Sequence, residues 1–239
     1  MSKISDSIFK ERKINLLPNC IQDVYYKLIN PLVSFLIKRG IHPNSLTTFG
    51  LLLSILSAVL LAKGKGYFFW AGLSIMVAGT CDVIDGKVAR ATGLGSKFGA
   101  LYDSAIDRYS EVIMFLGVFF YFVANGMYTN SIAVFIAISG SLMVSYIRAR
   151  AEALGVQCRV GIMQRAERIV FLAVGALFGD ITFVSPSYPI SLIVVIWFIA
   201  IGANFTAVQR LYYVWKETYS FKLAVKEEKE GEDLQKQDI

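Results

Sequence analysis

Asp82, Asp85, Asp103 and Asp107 fall within twenty-six residues of a chain that is 55% hydrophobic and only 18% charged. Carboxylates placed in hydrocarbon are costly enough to mark function by default. Asp82, Asp85 and Ala89 stand at i, i+3 and i+7, and Gly99, Asp103 and Asp107 at i, i+4 and i+8, so each trio lies on one face of a helix. The connecting Ala91-Thr-Gly-Leu-Gly-Ser96 is rich in residues that stop and cap helices. About Leu94, Asp85 and Asp103 are each nine residues away, and Asp82 and Asp107 twelve and thirteen. Antiparallel helices rising about 1.5 Å per residue then bring four acids to matched depth. Such a group either keeps some protons or gathers around a multivalent cation. Hard cations such as Mg²⁺ take carboxylates together with substrate phosphates. Gly86 and Gly99 leave room beside the acids, and Arg90 lies close to the same face, where it can pair with phosphate. An Asp–Arg network that only ties two helices together would leave a net negative charge unsuited to a core.

The elements that must position these acids are membrane spans. A chain of 239 residues with mean hydropathy +0.54 is too apolar for an ordinary soluble domain. Its three cysteines have no C-x-x-C spacing, which excludes a disulfide scaffold, and a lone loop histidine, His42, gives no zinc site. Apolar runs at about 45–63, 67–91, 97–124, 129–153, 162–180 and 186–214 are read as six transmembrane helices. The second turns polar after Cys81, and the third is polar from Phe98 to Glu111, so their same-side ends face protein or water. Glu111, one position off the Asp103/Asp107 face, is left outside the catalytic set. Lys and Arg cluster in the N-terminal segment, around Lys87 to Lys97 and from Arg148 to Arg168. Of the opposite turns, only the first carries any, Lys63 and Lys65, which places both termini and the polar hairpins in the cytoplasm.

Before the first span, Ile21, Val24, Tyr25, Leu28, Leu32, Phe35 and Leu36 recur at helical spacing. That pattern predicts an amphipathic interfacial helix on the inner leaflet, bent or split at Asn30-Pro31. The chain divides into a cytoplasmic N-terminus with this helix (1–44), a six-helix domain (45–215) and a charged cytoplasmic tail (216–239). The tail holds five Lys and seven acids, leaving +8 on residues 1–215, which points to anionic headgroups or a phosphorylated substrate and not to nucleic acid.

The run Asp82-x2-Asp85-Gly86-x2-Ala89-Arg90-x8-Gly99-x3-Asp103-x3-Asp107 resembles, at all eight defining positions, the signature of the CDP-alcohol phosphatidyltransferases. The resemblance implies an all-α integral membrane enzyme. Mg²⁺ or Mn²⁺, two ions, would be held by Asp82, Asp85, Asp103 and Asp107 and bridge the pyrophosphate of a CDP-lipid. Asp107 would be the general base that takes the acceptor hydroxyl's proton, with CMP as leaving group. The nucleotide would lie against Gly86, Arg90 and Ser96, and against Asn44 and Thr47, since His42-Pro-Asn-Ser-Leu-Thr47 resembles the family's Pro-Asn-x-x-Thr helix opening. From the residues alone Asn44 reads as an N-cap with Pro43 just outside, and the two roles are compatible. Membrane helices of the family commonly pair, which implies a homodimer.

Arg148, Arg150, Arg159, Arg165 and Arg168, expected on one cytoplasmic cavity, exceed what orientation requires; Arg210 can join them. A phosphate on the acceptor would explain them, since Arg grips phosphate bidentately, although positive-inside bias and snorkelling use the same residues. These segments look most like the subgroup of phosphatidylinositol-phosphate and archaetidylinositol-phosphate synthases, in which Arg148, Arg165 and Arg210 would hold the acceptor phosphate. Phosphatidylglycerophosphate synthases, which use glycerol 3-phosphate, usually carry Leu-Asp-Pro-x-x-Asp-Lys where this chain has Tyr102-Asp-Ser-Ala-Ile-Asp-Arg108. A membrane cation carrier is the rival of another class, weakened because no ionisable ladder continues through the outer half.

Overall fold

The computed structural model describes residues 19–181 and 188–237, with side chains for residues 29–181 and 188–219. Among the described residues there are seven α-helices and no strand: α1 (Asn19–Lys38), α2 (Pro43–Lys63), α3 (Phe68–Thr92), α4 (Lys97–Ala124), α5 (Tyr128–Ala153), α6 (Arg165–Leu177) and α7 (Ile190–Gln237). The breaks fall where backbone chemistry asks for them. Gly93 ends α3 in the left-handed region at φ 68°, and three residues later Ser96 opens α4, its Oγ accepting from the Gly99 N–H at 2.9 Å.

Helices α2, α3 and α5 and residues Ile190–Tyr219 of α7 are long and apolar enough to cross a membrane. The other two expected spans differ. Helix α4 has 28 residues but a polar first half, and the 13 residues of α6 reach only roughly 20 Å. Helix α7 continues without a break to Gln237, so the charged segment after residue 215 is helical.

The helices form one bundle in which α2 packs on α3 and α4, α3 on α6, α4 on α5, and α7 on α5 and α6. Small residues let backbones approach: a Cβ on Gly117 of α4 would stand 2.6 Å from the Cα of Ala58 in α2. The half of the bundle beyond the acids is filled by Leu61, Ile75, Met114, Phe115, Val118, Phe122, Leu172 and Ile196. At that far end Asp180, after α6, accepts from the Gly66 N–H at 2.6 Å and the Phe69 N–H at 3.2 Å, closing the start of α3.

Helix α1 lies against α3. Ile29 and Val33 are buried on Ile84 and Val88, and Lys87 Nζ donates to Asn30 Oδ1 at 2.9 Å. Of the bend or split expected at Asn30-Pro31, the split does not occur. Proline removes a single N–H, and the side chains on either side of it are held on α3, so the helix runs through. The face packed on α3 leaves Leu32 and Phe35 of the apolar stripe exposed, 47% and 51%, and available to lipid. Side chains of Ile21, Val24, Tyr25, Lys27 and Leu28, the whole of residues 1–18, and side chains of the tail beyond Tyr219 lie outside the described residues.

Candidate active site

The site is assembled from the ends of α2, α3, α4 and α6. At the start of α2 the cap is His42, whose Nδ1 accepts from the Asn44 N–H at 3.2 Å, and Pro43 is the first helical residue. The expected Asn44 cap is thereby corrected. Pro43, suited to the first helical position, starts the helix one residue before Asn44, so the cap falls on His42, and the Asn44 side chain is left to face α4, where Oδ1 would sit 3.4 Å from a Cβ on Gly99. One turn on, Thr47 donates to Asp85 Oδ2 at 2.6 Å, and the neighbouring Thr48 hydroxyl pairs with the Tyr102 hydroxyl at 2.9 Å. Helix α2 is thus fastened to both acid-bearing helices.

Asp82, Asp85 and Asp103 offer oxygens that all lie within 4.8 Å of one another. The fourth acid, Asp107, is drawn to Arg165 at the start of α6: Arg165 Nη2 stands 2.7 Å from Asp107 Oδ1 and Nη1 2.9 Å from Asp82 Oδ2. Asp103 Oδ1 is buried with no hydrogen-bond partner, which a core would not leave. The donor set fits a hard divalent cation: oxygens from three carboxylates drawn within 4.8 Å of one another, an orphaned oxygen on one of those residues, and no soft ligand in the group. Asp82, Asp85 and Asp103 would hold it, with Asp107 beside them.

Two cavities meet at Thr47 and Asp85. The larger, about 190 Å³, is lined by Asn44, Thr47, Gly86, Arg90 and Ser96, together with Asp85, Gly99 and Asp103. All five residues expected to meet the nucleotide therefore share one cavity. Arg90 folds back over Gly86, where a Cβ would stand 3.4 Å from its Nη1, in contact with the guanidinium. The smaller cavity, about 20 Å³, lies between Asp82, Asp85, Asp107 and Arg165 and has room for a water or an ion.

The arginines are not gathered in one cavity as expected. Arg165 belongs to the acid cluster. Arg148 pairs at 2.9 Å with Glu152 at the bundle surface, and Arg150 and Arg159 are exposed. Arg210 is buried and donates to the Val144 carbonyl at 2.5 Å and the Val160 carbonyl at 2.8 Å, fixing α7 to the end of α5 and to the loop before α6. Arg168 is fully buried, bidentate to Glu111 at 2.5 and 3.0 Å, and also donates to the Met163 carbonyl. That pair was missed. Its signal was present, since Glu111 follows Asp107 by four residues and Arg168 follows Arg165 by three.

Residues 40–211 match the family model of the CDP-alcohol phosphatidyltransferases. The phosphatidylinositol phosphate synthase of Mycobacteroides abscessus is 32% identical over 195 residues, covering 81% of this chain and 86% of that protein. The archaetidylinositol phosphate synthase of Methanothermobacter thermautotrophicus is 34% identical over 199 residues, covering 83% and 94%. Among solved structures, the Mycobacterium tuberculosis phosphatidylinositol phosphate synthase with CDP-DAG bound superposes with TM-score 0.69 at 33% identity, covering 79% of this chain and 94% of that one. The same enzyme in complex with manganese and citrate gives TM-score 0.69 over 77% and 88%.

Proposed function

The chain belongs to the CDP-alcohol phosphatidyltransferase family, and from that membership we propose that it transfers the phosphatidyl group of a CDP-diacylglycerol-type lipid to inositol phosphate, releasing CMP. The observation that carries this reading is the junction at Thr47 and Asp85, where a cavity bearing the nucleotide-recognition residues opens onto the four acids. Asn44, Gly86, Arg90 and Ser96 receive the cytidine and its phosphates, Arg90 supplying the charge. Thr47 holds Asp85 in orientation. Asp82, Asp85, Asp103 and Asp107 are more acids than one ion requires, which supports two Mg²⁺ or Mn²⁺ ions. Bound there, the ions supply positive charge to the pyrophosphate and to the departing CMP.

Asp107 is the base. It accepts the proton of an inositol hydroxyl as that oxygen forms a bond to the phosphorus bearing the lipid, and the bond from that phosphorus to the CMP oxygen breaks. Arg165 and Arg148 are assigned to the acceptor phosphate, with Arg165 nearest the reacting centre, while the expected third, Arg210, is tied by Nε and Nη1 to the Val160 and Val144 carbonyls and would reach the phosphate only with Nη2. The relatives above are named for inositol phosphates, which favours this acceptor over glycerol 3-phosphate. A cation carrier is disfavoured by the apolar far half, where Ile75, Met114, Phe115 and Val118 are at most 2% exposed and no carboxylate continues the path beyond Glu111 among the described residues of α4.

The reading includes six membrane crossings, a cytoplasmic site and cytoplasmic termini in the cell (inner) membrane, and a homodimer. Residues 1–44 form an N-terminal unit whose helix rides the inner leaflet, residues 45–215 the transferase domain, and residues 216–239 a tail. The test is CMP release by purified protein given CDP-diacylglycerol with inositol phosphate, glycerol 3-phosphate, serine or inositol. Inositol phosphate is expected to give the fastest release, abolished by chelator. Faster release with glycerol 3-phosphate, or release unaffected by chelation, would overturn it.

A further inference from the structure

Two ion pairs join α6 to α4 one helical turn apart. The deeper one, Arg168 with Glu111, is sealed: the guanidinium is 0% and the carboxylate 3% exposed. The shallower one, Arg165 with Asp107 and Asp82, borders the small cavity among the acids, with the Arg165 side chain 25% exposed. It is also incomplete, because Arg165 Nε is buried with no acceptor. The deep pair and the Met163 carbonyl bond of Arg168 fix the register of α6, so the Arg165 side chain can leave the acids by its own torsions while its backbone stays in place. Asp82, one of the three acids whose oxygens draw together, is also one that Arg165 holds, through Oδ2. A divalent ion taken up by these acids would sit within a few ångströms of the guanidinium, where like charges repel.

We infer that Arg165 is a resident counter-cation: it occupies the acid cluster until divalent ions load, and the acceptor's phosphate then receives it. This rests on the metal and acceptor assignments proposed above. Its consequence is positive coupling, since a phosphate that draws Arg165 away from Asp82 and Asp107 makes the metal bind more tightly, and by linkage the metal tightens the phosphate equally. Arg165 is thereby a positioning residue for Asp82 and Asp107 as well as an acceptor contact.

The experiment measures Mn²⁺ affinity from the free-ion EPR signal of purified protein, with no CDP-lipid present, in the presence of inositol phosphate or of inositol. In the unmodified protein, inositol phosphate is expected to tighten Mn²⁺ binding by at least about fivefold and inositol to leave it unchanged. Arg165→Gln is expected to bind Mn²⁺ at least about fivefold more tightly than the unmodified protein without any phosphate, and to lose the response. Arg165→Lys, which keeps a cation, is expected to retain the weaker binding and a partial response, and it serves as the check should the Gln variant fold poorly. Equal Mn²⁺ affinity in the unmodified and Gln proteins, or a phosphate response that survives in Arg165→Gln, would overturn the inference while leaving the transferase reading intact. Absence of Mn²⁺ binding in every protein would overturn the metal assignment itself.

Discussion

A guanidinium that donates to two main-chain carbonyls is committed to the fold in a way that one paired with a surface carboxylate is not. Arg210 and Arg148 stand for the two cases, and their alanine variants are expected to separate. Arg210→Ala removes both donors from Val144 and Val160 and should cost about 1–3 kcal/mol of stability, read as an earlier melting transition in detergent. Arg148→Ala loses only an exposed i,i+4 pair worth about 0.3–0.5 kcal/mol, so its melting should be unchanged. If Arg148 meets the acceptor phosphate, its loss appears instead as a rise of roughly tenfold or more in KM for inositol phosphate with KM for CDP-lipid unaltered. Asp107→Asn gives the corresponding test of the base: CMP release should fall by at least about a hundredfold while CDP-lipid binding persists. The acids themselves were legible in the sequence because carboxylates in a membrane chain need a reason, and helical spacing then fixed their common face. The fate of the arginines was not. Arg165 and Arg168 lie three residues apart and serve different partners on α4, and which arginine meets which carboxylate depends on helix register, which the sequence pattern does not contain.

Helix register is set by close packing and by the sealed ion pair. Gly117 of α4 lies against the backbone of Ala58, which cannot swing aside as a side chain would. Gly117→Ala should therefore cost about 1–3 kcal/mol and lower the melting midpoint. Gly79→Ala, whose Cβ would meet Ile169 at an ordinary 3.5 Å, should leave the midpoint in place. Glu111→Gln strands the buried Arg168 charge and is expected to be more severe, about 3–5 kcal/mol. The end of α3 and the start of α4 were readable, because Gly93 and Ser96 terminate and cap helices by their own chemistry. One local reading failed for a reason outside the local pattern: His42 replaced Asn44 as the cap. Of the bend or split expected at Pro31, the split is absent, because the helix is clamped on α3 through Ile29 and Val33.

Thickness is the problem that α6 poses for the whole molecule. Its 13 residues reach roughly 20 Å, yet a crossing needs roughly 30 Å of hydrocarbon spanned. The helix begins at Arg165, level with Asp82 and Asp107, and Asp180, just beyond its other end, binds Gly66 and Phe69 at the far turn. The acids lie nine to thirteen residues along α3 and α4 from Leu94, roughly 14–20 Å. On the six-span reading proposed above, the polar cavity would replace the missing length, so that a short helix with a deep site spans as much as a long helix without one. Exposed Tyr and Trp residues stand at both ends, Tyr67, Trp70, Tyr128 and Tyr188 at the far end and Tyr212, Trp215 and Tyr219 on α7 at the near end, with exposed Tyr109 between them. The six crossings proposed above would return the chain to the side on which it began. Single cysteines introduced on a Cys20→Ala background test this with a membrane-impermeant maleimide. Cys81 and Cys158 are buried, and burial pushes the Cys158 thiol up despite nearby Arg210, so the native background should be silent. Gly95→Cys, Gln157→Cys and Lys216→Cys should label only from the cytoplasmic side, and Lys65→Cys and Asn125→Cys only from the other. If α6 did not cross, Lys216→Cys would label from the side opposite Gln157→Cys, and the site at the end of α6 would lose the depth on which its acids depend.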